Sequence, residues 1–246
     1  MPLTSGPTRS RTPLLLALAI LALSLLATAY LWREARNDAH SLLRTEFDYQ
    51  AGETVRRLEQ RMATYEQVAR GAQSFMLGRI DVGQEDFRLY VANSRVQEKF
   101  PGIQGLAVSR LIPADALPAH ESGMRALLPG YAVRPPGPRP LYSSITHIEP
   151  QTAMNRRALG FDMYAEPVRR AAMERARDTG QAAASGKVTL IQEGRAQGEA
   201  GLVMYLPVYA RGAPVATLEQ RRAALLGWIG APFRMRDLMA GLSAER

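Results

Sequence analysis

Cysteine is absent from all 246 residues, which removes disulfides, thiolate metal ligands and thiol nucleophiles together. Lysine is almost absent as well. Lys99 and Lys187 stand alone, so a formal charge of +8 is carried by arginine. Aromatics are scarce, at 7%, and no stretch interleaves them with the basic residues, which argues against a nucleic-acid surface. Acidic lipid headgroups match the basic surplus better. What is present is an ordinary folding composition, 46% hydrophobic and 22% charged, of a length suited to one domain with appendages or two small ones.

One long apolar run exists. Leu14 to Trp32 carries no charge and is close to the ~20 residues that cross a bilayer as a helix. Arg9 and Arg11 precede it without an acid, while Arg33, Glu34, Arg36 and Asp38 behind it cancel. The positive-inside rule then keeps residues 1–13 in the cytoplasm as a short tail and everything after Trp32 outside. Ala27-Thr28-Ala29 also has the small-x-small form of a signal-peptide cleavage site. The helical pattern runs straight through it, which favours an uncleaved anchor in the inner membrane.

That pattern predicts a stalk helix over 33–80. Val55, Leu58, Met62, Tyr65, Ala69, Ala72 and Met76 alternate in steps of three and four, with Phe47 and Ala51 extending the seam backwards. A seam of this kind suits a two-stranded coiled coil and hence a homodimer. It equally suits one long helix lying on its own domain. Gly78 and Asp81-Val82-Gly83 break the helix, and Glu85 to Gln97 restarts it.

Beyond Pro101-Gly102 the period changes. Ile103–Arg110 reads as a strand, Ala114–Leu128 as a helix and Leu141–Ile148 as a strand. Pro135-Pro136-Gly137-Pro138-Arg139-Pro140 is a surface loop, because proline cannot join a sheet interior. Strands over Gln181–Gln192, Gly201–Tyr209 and Ala223–Ala231 follow, and a last helix begins at Phe233. Helices between short antiparallel strands predict an α+β fold, with helices flanking one sheet.

Asn155 to Gly180 is the stretch with the most chemistry. Pro167 suits a first helical turn and Gly180 a left-handed C-cap. Val168, Ala171, Ala172, Arg175, Ala176 and Thr179 share one face of the helix between them. Asp162 sits just before that helix, between Phe161 and Met163. Its carboxylate has two readings: a cap for the turn or helix behind it, or an acceptor for the donors of a small ligand in an apolar pocket.

The ordered blocks Phe100-Pro101-Gly102-Ile103-Gln104-Gly105-Leu106-Ala107, Asn155 through Asp162, Ala176-Arg177-Asp178-Thr179-Gly180, Tyr205-Leu206-Pro207-Val208-Tyr209 and Gly227-Trp228-Ile229-Gly230-Ala231-Pro232-Phe233 resemble the CHASE domain. That domain is the extracytoplasmic sensor of bacterial histidine kinases and diguanylate cyclases and of plant cytokinin receptors. The resemblance covers roughly Phe100 to Leu242. It implies a PAS-like sensor domain over 84–233, with 234–246 the start of a linker helix and the chain truncated relative to the family. It also implies a ligand role for Asp162, whose counterpart binds adenine in the cytokinin receptors. Ala184 falls where a pocket leucine stands, and Tyr205 where a threonine stands. The implied lining is Asp162, Met163, Ala184, Leu190, Met204 and Tyr205, around a small molecule that by analogy is adenine-like.

Other chemistry is poorly supported. Gly180 to Lys187 misses the phosphate-loop spacing by one residue and has Val188 after the lysine. His147 and Glu149 are half a metal site at most, and His40 and His120 do not complete it. Ser185 lacks a nucleophile-elbow context. Arg156-Arg157 and Arg169-Arg170 read as solvated faces. No cofactor, metal or catalytic residue is expected. The leading expectation is a small-ligand sensor of a membrane-bound signalling receptor, passing occupancy through a dimeric stalk. A membrane-anchored periplasmic hydrolase using Asp162 and Glu166, or a purely structural dimerisation module, are the alternatives.

Overall fold

The structure is a computed structural model and describes residues 12–76, 80–100, 102–191 and 200–243. Helix α1 (Thr12–Met76) runs unbroken through Ala27-Thr28-Ala29. Residues up to Arg56 form one unit, and Arg57 to Arg246 form a second, compact one. In the first, the described side chains between Leu15 and Trp32 are exposed, and by length and composition α1 qualifies to cross a membrane.

In the second unit the chain continues through α2 (Gln84–Asn93), α3 (Val96–Lys99), β1 (Leu106–Pro113), α4 (Leu117–Leu127), β2 (Leu141–Glu149), α5 (Ala153–Arg156), α6 (Pro167–Thr179), β3 (Ala183–Ala184), β4 (Val188–Thr189), β5 (Ala200–Tyr209), α7 (Leu218–Ala224), β6 (Leu225–Arg234) and α8 (Met235–Ser243). The strands pair antiparallel in the order β2-β1-β6-β5-β3, with β4 also on β5.

The sheet divides the core into two layers. On one face, Leu206, Val208, Ile229 and Phe233 pack against Tyr65, Ala69, Ala72 and Met76 of α1, Phe87 and Val91 of α2, and Leu238 of α8. Tyr65 stacks on Phe233 with ring centroids 5.3 Å apart and planes inclined by 18°. Gln73 Nε2 donates to the Pro207 carbonyl at 2.5 Å. On the other face, Val203, Tyr205 and Trp228 meet Ala172, Met173 and Ala176 of α6, with Met163, Tyr164 and Ala158 before it.

The heptad seam is thus resolved differently over its length. From Leu58 to Met76 it is covered by the protein's own sheet, because an apolar stripe of this period serves any flat apolar partner. Val55 and Phe47, in the other unit, are exposed.

Several element boundaries moved. Ile103 makes only an isolated bridge to Phe233, and β1 starts at Leu106. The Gln181–Gln192 strand is reduced to two dipeptides separated by Ser185-Gly186-Lys187, and Gln192 itself lies outside the described residues, as do Gly78 and Pro101. The start of the Ala223–Ala231 strand is the end of α7, which Thr217 and Gln220 open with a reciprocal capping box. Helix α6 has the expected ends: Pro167 at the first turn, and Gly180 at φ 73° as C-cap. Its buried face is offset, however, to Arg169, Ala172, Met173 and Ala176, leaving Ala171, Arg175 and Thr179 outside.

Candidate functional site

The loop between β2 and α6 folds back along the open edge of β2. Gly160 donates to the Ile145 carbonyl at 2.9 Å, and Ile145 returns a hydrogen bond to Phe161 at 3.1 Å. On its other side Asp162 N–H donates to Arg134 O at 2.6 Å. Gly160 adopts φ 80°, and a Cβ there would stand 2.3 Å from the Ala132 carbonyl oxygen. Only glycine allows this approach.

Asp162 is wholly buried. Its Oδ1 accepts from Ser143 N–H at 2.8 Å and from Tyr164 N–H at 3.0 Å, so it ties down β2 and caps the short 3-10 turn Met163–Ala165. Its Oδ2 lies 2.9 Å from Arg139 Nε, an ion pair whose geometry is not that of a hydrogen bond. Arg139 comes from the proline loop, held over the Tyr142 ring at 4.9 Å.

Around it lies an aromatic and polar layer. The Tyr205 hydroxyl donates to Met163 Sδ at 3.5 Å, and burial pushes that phenol up to about 12. Tyr164 leans on Trp228, centroids 5.4 Å apart, and burial likewise pushes it up to about 12. Trp228 Nε1 donates to Met173 O at 3.0 Å. Arg169 is 5% exposed, its guanidinium 5.5 Å from the Phe161 centroid and bound to Thr189 O at 2.7 Å. Ser143 Oγ, Tyr164 OH and Arg169 Nε have no hydrogen-bond partner among the described residues.

Of the sequence-derived lining, Asp162, Met163, Leu190 and Tyr205 are buried, the last three within one cluster. Met204 is not with them. It neighbours Tyr205 on β5, and strand alternation sends it into the layer that holds α1. Ala184 is exposed, and its carbonyl receives Arg175 at 2.8 Å. Arg169 overturns the solvated-face expectation: its aliphatic stem and planar head fill the seam between α6 and the sheet, while Arg156, Arg157 and Arg170 are exposed. Glu166 caps α6 by accepting from Val168 N–H and Arg169 N–H at 3.1 and 2.9 Å. With Asp162 also bound to backbone, the two carboxylates are arranged as caps rather than as an acid–base pair.

The histidines lie elsewhere. His147 Nδ1 is 2.9 Å from Thr146 Oγ1 and His120 Nε2 is 3.0 Å from the Tyr131 hydroxyl. Both line a cavity of ≈ 700 Å³ beside α4. Among the described residues no group of three His, Asp or Glu is placed to hold a metal.

The antiparallel sheet thus carries the Leu58–Met76 part of α1 with α2 and α8 on one face, and α6 with its preceding loop on the other. The chain belongs to the CHASE family, whose domain model matches residues 81–246. No curated protein matches the sequence. Among solved structures the ligand-binding domain of the Pseudomonas aeruginosa PAO1 amino acid chemoreceptor PctC, in complex with GABA, is similar at a TM-score of 0.45 and 14% identity. The match covers 77% of this chain and 62% of that one, so this chain spans less than two thirds of the chemoreceptor domain's length.

Proposed function

We propose that the chain is the extracytoplasmic small-molecule sensor of a membrane-bound signalling receptor, with its ligand held between α6 and the sheet by Asp162, Met163, Leu190 and Tyr205. The supporting observation is the group of buried polar atoms without hydrogen bonds in that layer: Ser143 Oγ, Tyr164 OH, Arg169 Nε and Asp162 Oδ2. Native interiors keep such atoms few, and a ligand with both donors and acceptors completes them. Occupancy reaches α1 through β5, where Tyr205 faces the ligand layer and its neighbour Met204 packs in the α1 layer. Transmission requires that the ligand bind one arrangement of that strand better than another. Exposed Leu42, Leu43 and Phe47 on α1 supply the surface for a second copy.

Calorimetric titration of the full chain in lipid nanodiscs against a metabolite panel, adenine derivatives included, tests the reading. Tyr164→Phe removes a hydroxyl that nothing in the described protein holds. It is expected to leave the melting temperature unchanged and to weaken ligand binding at least fivefold. A ligand bound equally by Tyr164→Phe, Asp162→Asn and the parent would place its site elsewhere.

A further inference from the structure

A second polar site lies where the C-terminal end of β2 meets α2 and α3. Glu149, the last residue of β2, is 3% exposed. Its Oε1 accepts from Gln84 Nε2 at 3.2 Å and from Gln151 Nε2 at 3.3 Å, and among the described residues it forms no ion pair. Two long amide hydrogen bonds are weak compensation for a buried carboxylate, which ordinarily has a cation or several short donors.

Beside it opens a cavity of ≈ 440 Å³, lined by Glu149, Gln151, Glu98, Arg88 and Arg95 among others. Arg88 is committed to Glu85, its Nε 2.8 Å from Oε2. Arg95 has no such commitment: its side chain makes no hydrogen bond or ion pair among the described residues. It is also the one described non-glycine residue with positive φ, at φ 46° and ψ 42°. A long side chain in the left-handed region is strained where glycine is not, and strain of this kind collects where a side chain is held for use.

We propose that this cavity binds a small zwitterion, its ammonium on Glu149 and its acidic group on Arg95. An ammonium supplies the charge-assisted donors that Glu149 lacks, and a guanidinium is the planar partner of a carboxylate. A purely anionic ligand would face Glu149 and Glu98, and a purely cationic one Arg88 and Arg95. The volume lies in the usual range for small-molecule sites. The site is separate from the Asp162 layer and does not depend on it.

The test is calorimetry on the full chain in nanodiscs with L-alanine, L-leucine and β-alanine, and with ethylamine and propionate as half-ligands at equal ionic strength. At least one amino acid is expected to bind, with each half-ligand at least tenfold weaker. Glu149→Gln and Arg95→Gly each lower that affinity at least tenfold. Arg95→Gly relieves the backbone, so its melting temperature stays level or rises while binding is lost, which separates ligand contact from folding. Asp162→Asn retains parent affinity for the amino acid. No amino-acid binding by the parent, or parent-like binding by Arg95→Gly, would overturn the assignment. Loss in Asp162→Asn alone would do the same by moving the ligand to the other face.

Discussion

The Asp162 carboxylate accepts the Ser143 backbone N–H at 2.8 Å, standing where a strand carbonyl would otherwise continue the ladder on the outer edge of β2. One oxygen is thereby consumed by the fold, while the other faces Arg139 at 2.9 Å. Capping and recognition are thus not exclusive readings of this residue, because its two oxygens have different neighbours.

Removing that carboxylate strands two backbone donors and leaves the half-buried Arg139 Nε without its ion pair. Asp162→Ala is expected to lose roughly 3–5 kcal/mol of stability, and Asp162→Asn less, since its amide oxygen still accepts. Urea denaturation followed by circular dichroism measures both. Equal losses in the two variants would mean that charge matters here and acceptor geometry does not.

Gly160 and Gly212 both have positive φ, at 80° and 76°, but only Gly160 is crowded. Gly212→Ala should cost about 1 kcal/mol from backbone conformation alone. Gly160→Ala should cost several-fold more, because its Cβ meets the Ala132 carbonyl. The difference in melting temperature reads this out.

Burial lowers the basicity of His147, against smaller opposing pulls from the Val82 carbonyl and Asp81, and burial lowers His120 in the same way. The unfolded chain therefore takes up these protons first. Their contribution is present above the ordinary histidine value of 6.5 and is lost as pH falls from there through the lower folded values. Melting temperatures at pH 7.5, 6.5 and 5.5 should decline, and His147→Gln should decline less steeply.

The α1 seam is predicted to stabilise the fold before it stabilises any dimer. Tyr65→Ala removes a 2% exposed ring stacked on Phe233 and should cost about 3–5 kcal/mol. Sedimentation of the detergent-solubilised chain should show Phe47→Ala, not Tyr65→Ala, as the change that weakens self-association.

Much of this fold was legible from local signals. Pro167 and Gly180 bound α6 correctly because their backbone preferences act without tertiary help. The Thr217-Leu218-Glu219-Gln220 capping box was equally readable and marks the helix that the strand assignment overran. The heptad seam could not be settled locally, since its period is the same against a second helix or against the sheet. In the candidate site, Asp162, Met163 and Tyr205 are named from motif position, and the structure buries all three. Met204 neighbours Tyr205 on β5, and the two-residue period of a strand turns it into the α1 layer. Arg139 was hidden because a residue in a proline loop gives no periodicity, and Arg169 because a charged residue on a helix ordinarily faces water.

Phe233 has a role beyond filling the core. It carries the Tyr65 ring on one side, receives the bridge from Ile103, and leads within two residues into α8, whose Leu238 is buried in the same cluster. Helices α1 and α8 therefore pack into the same apolar cluster beside β6. A smaller side chain at Phe233 would loosen the seating of both helices on the sheet at once.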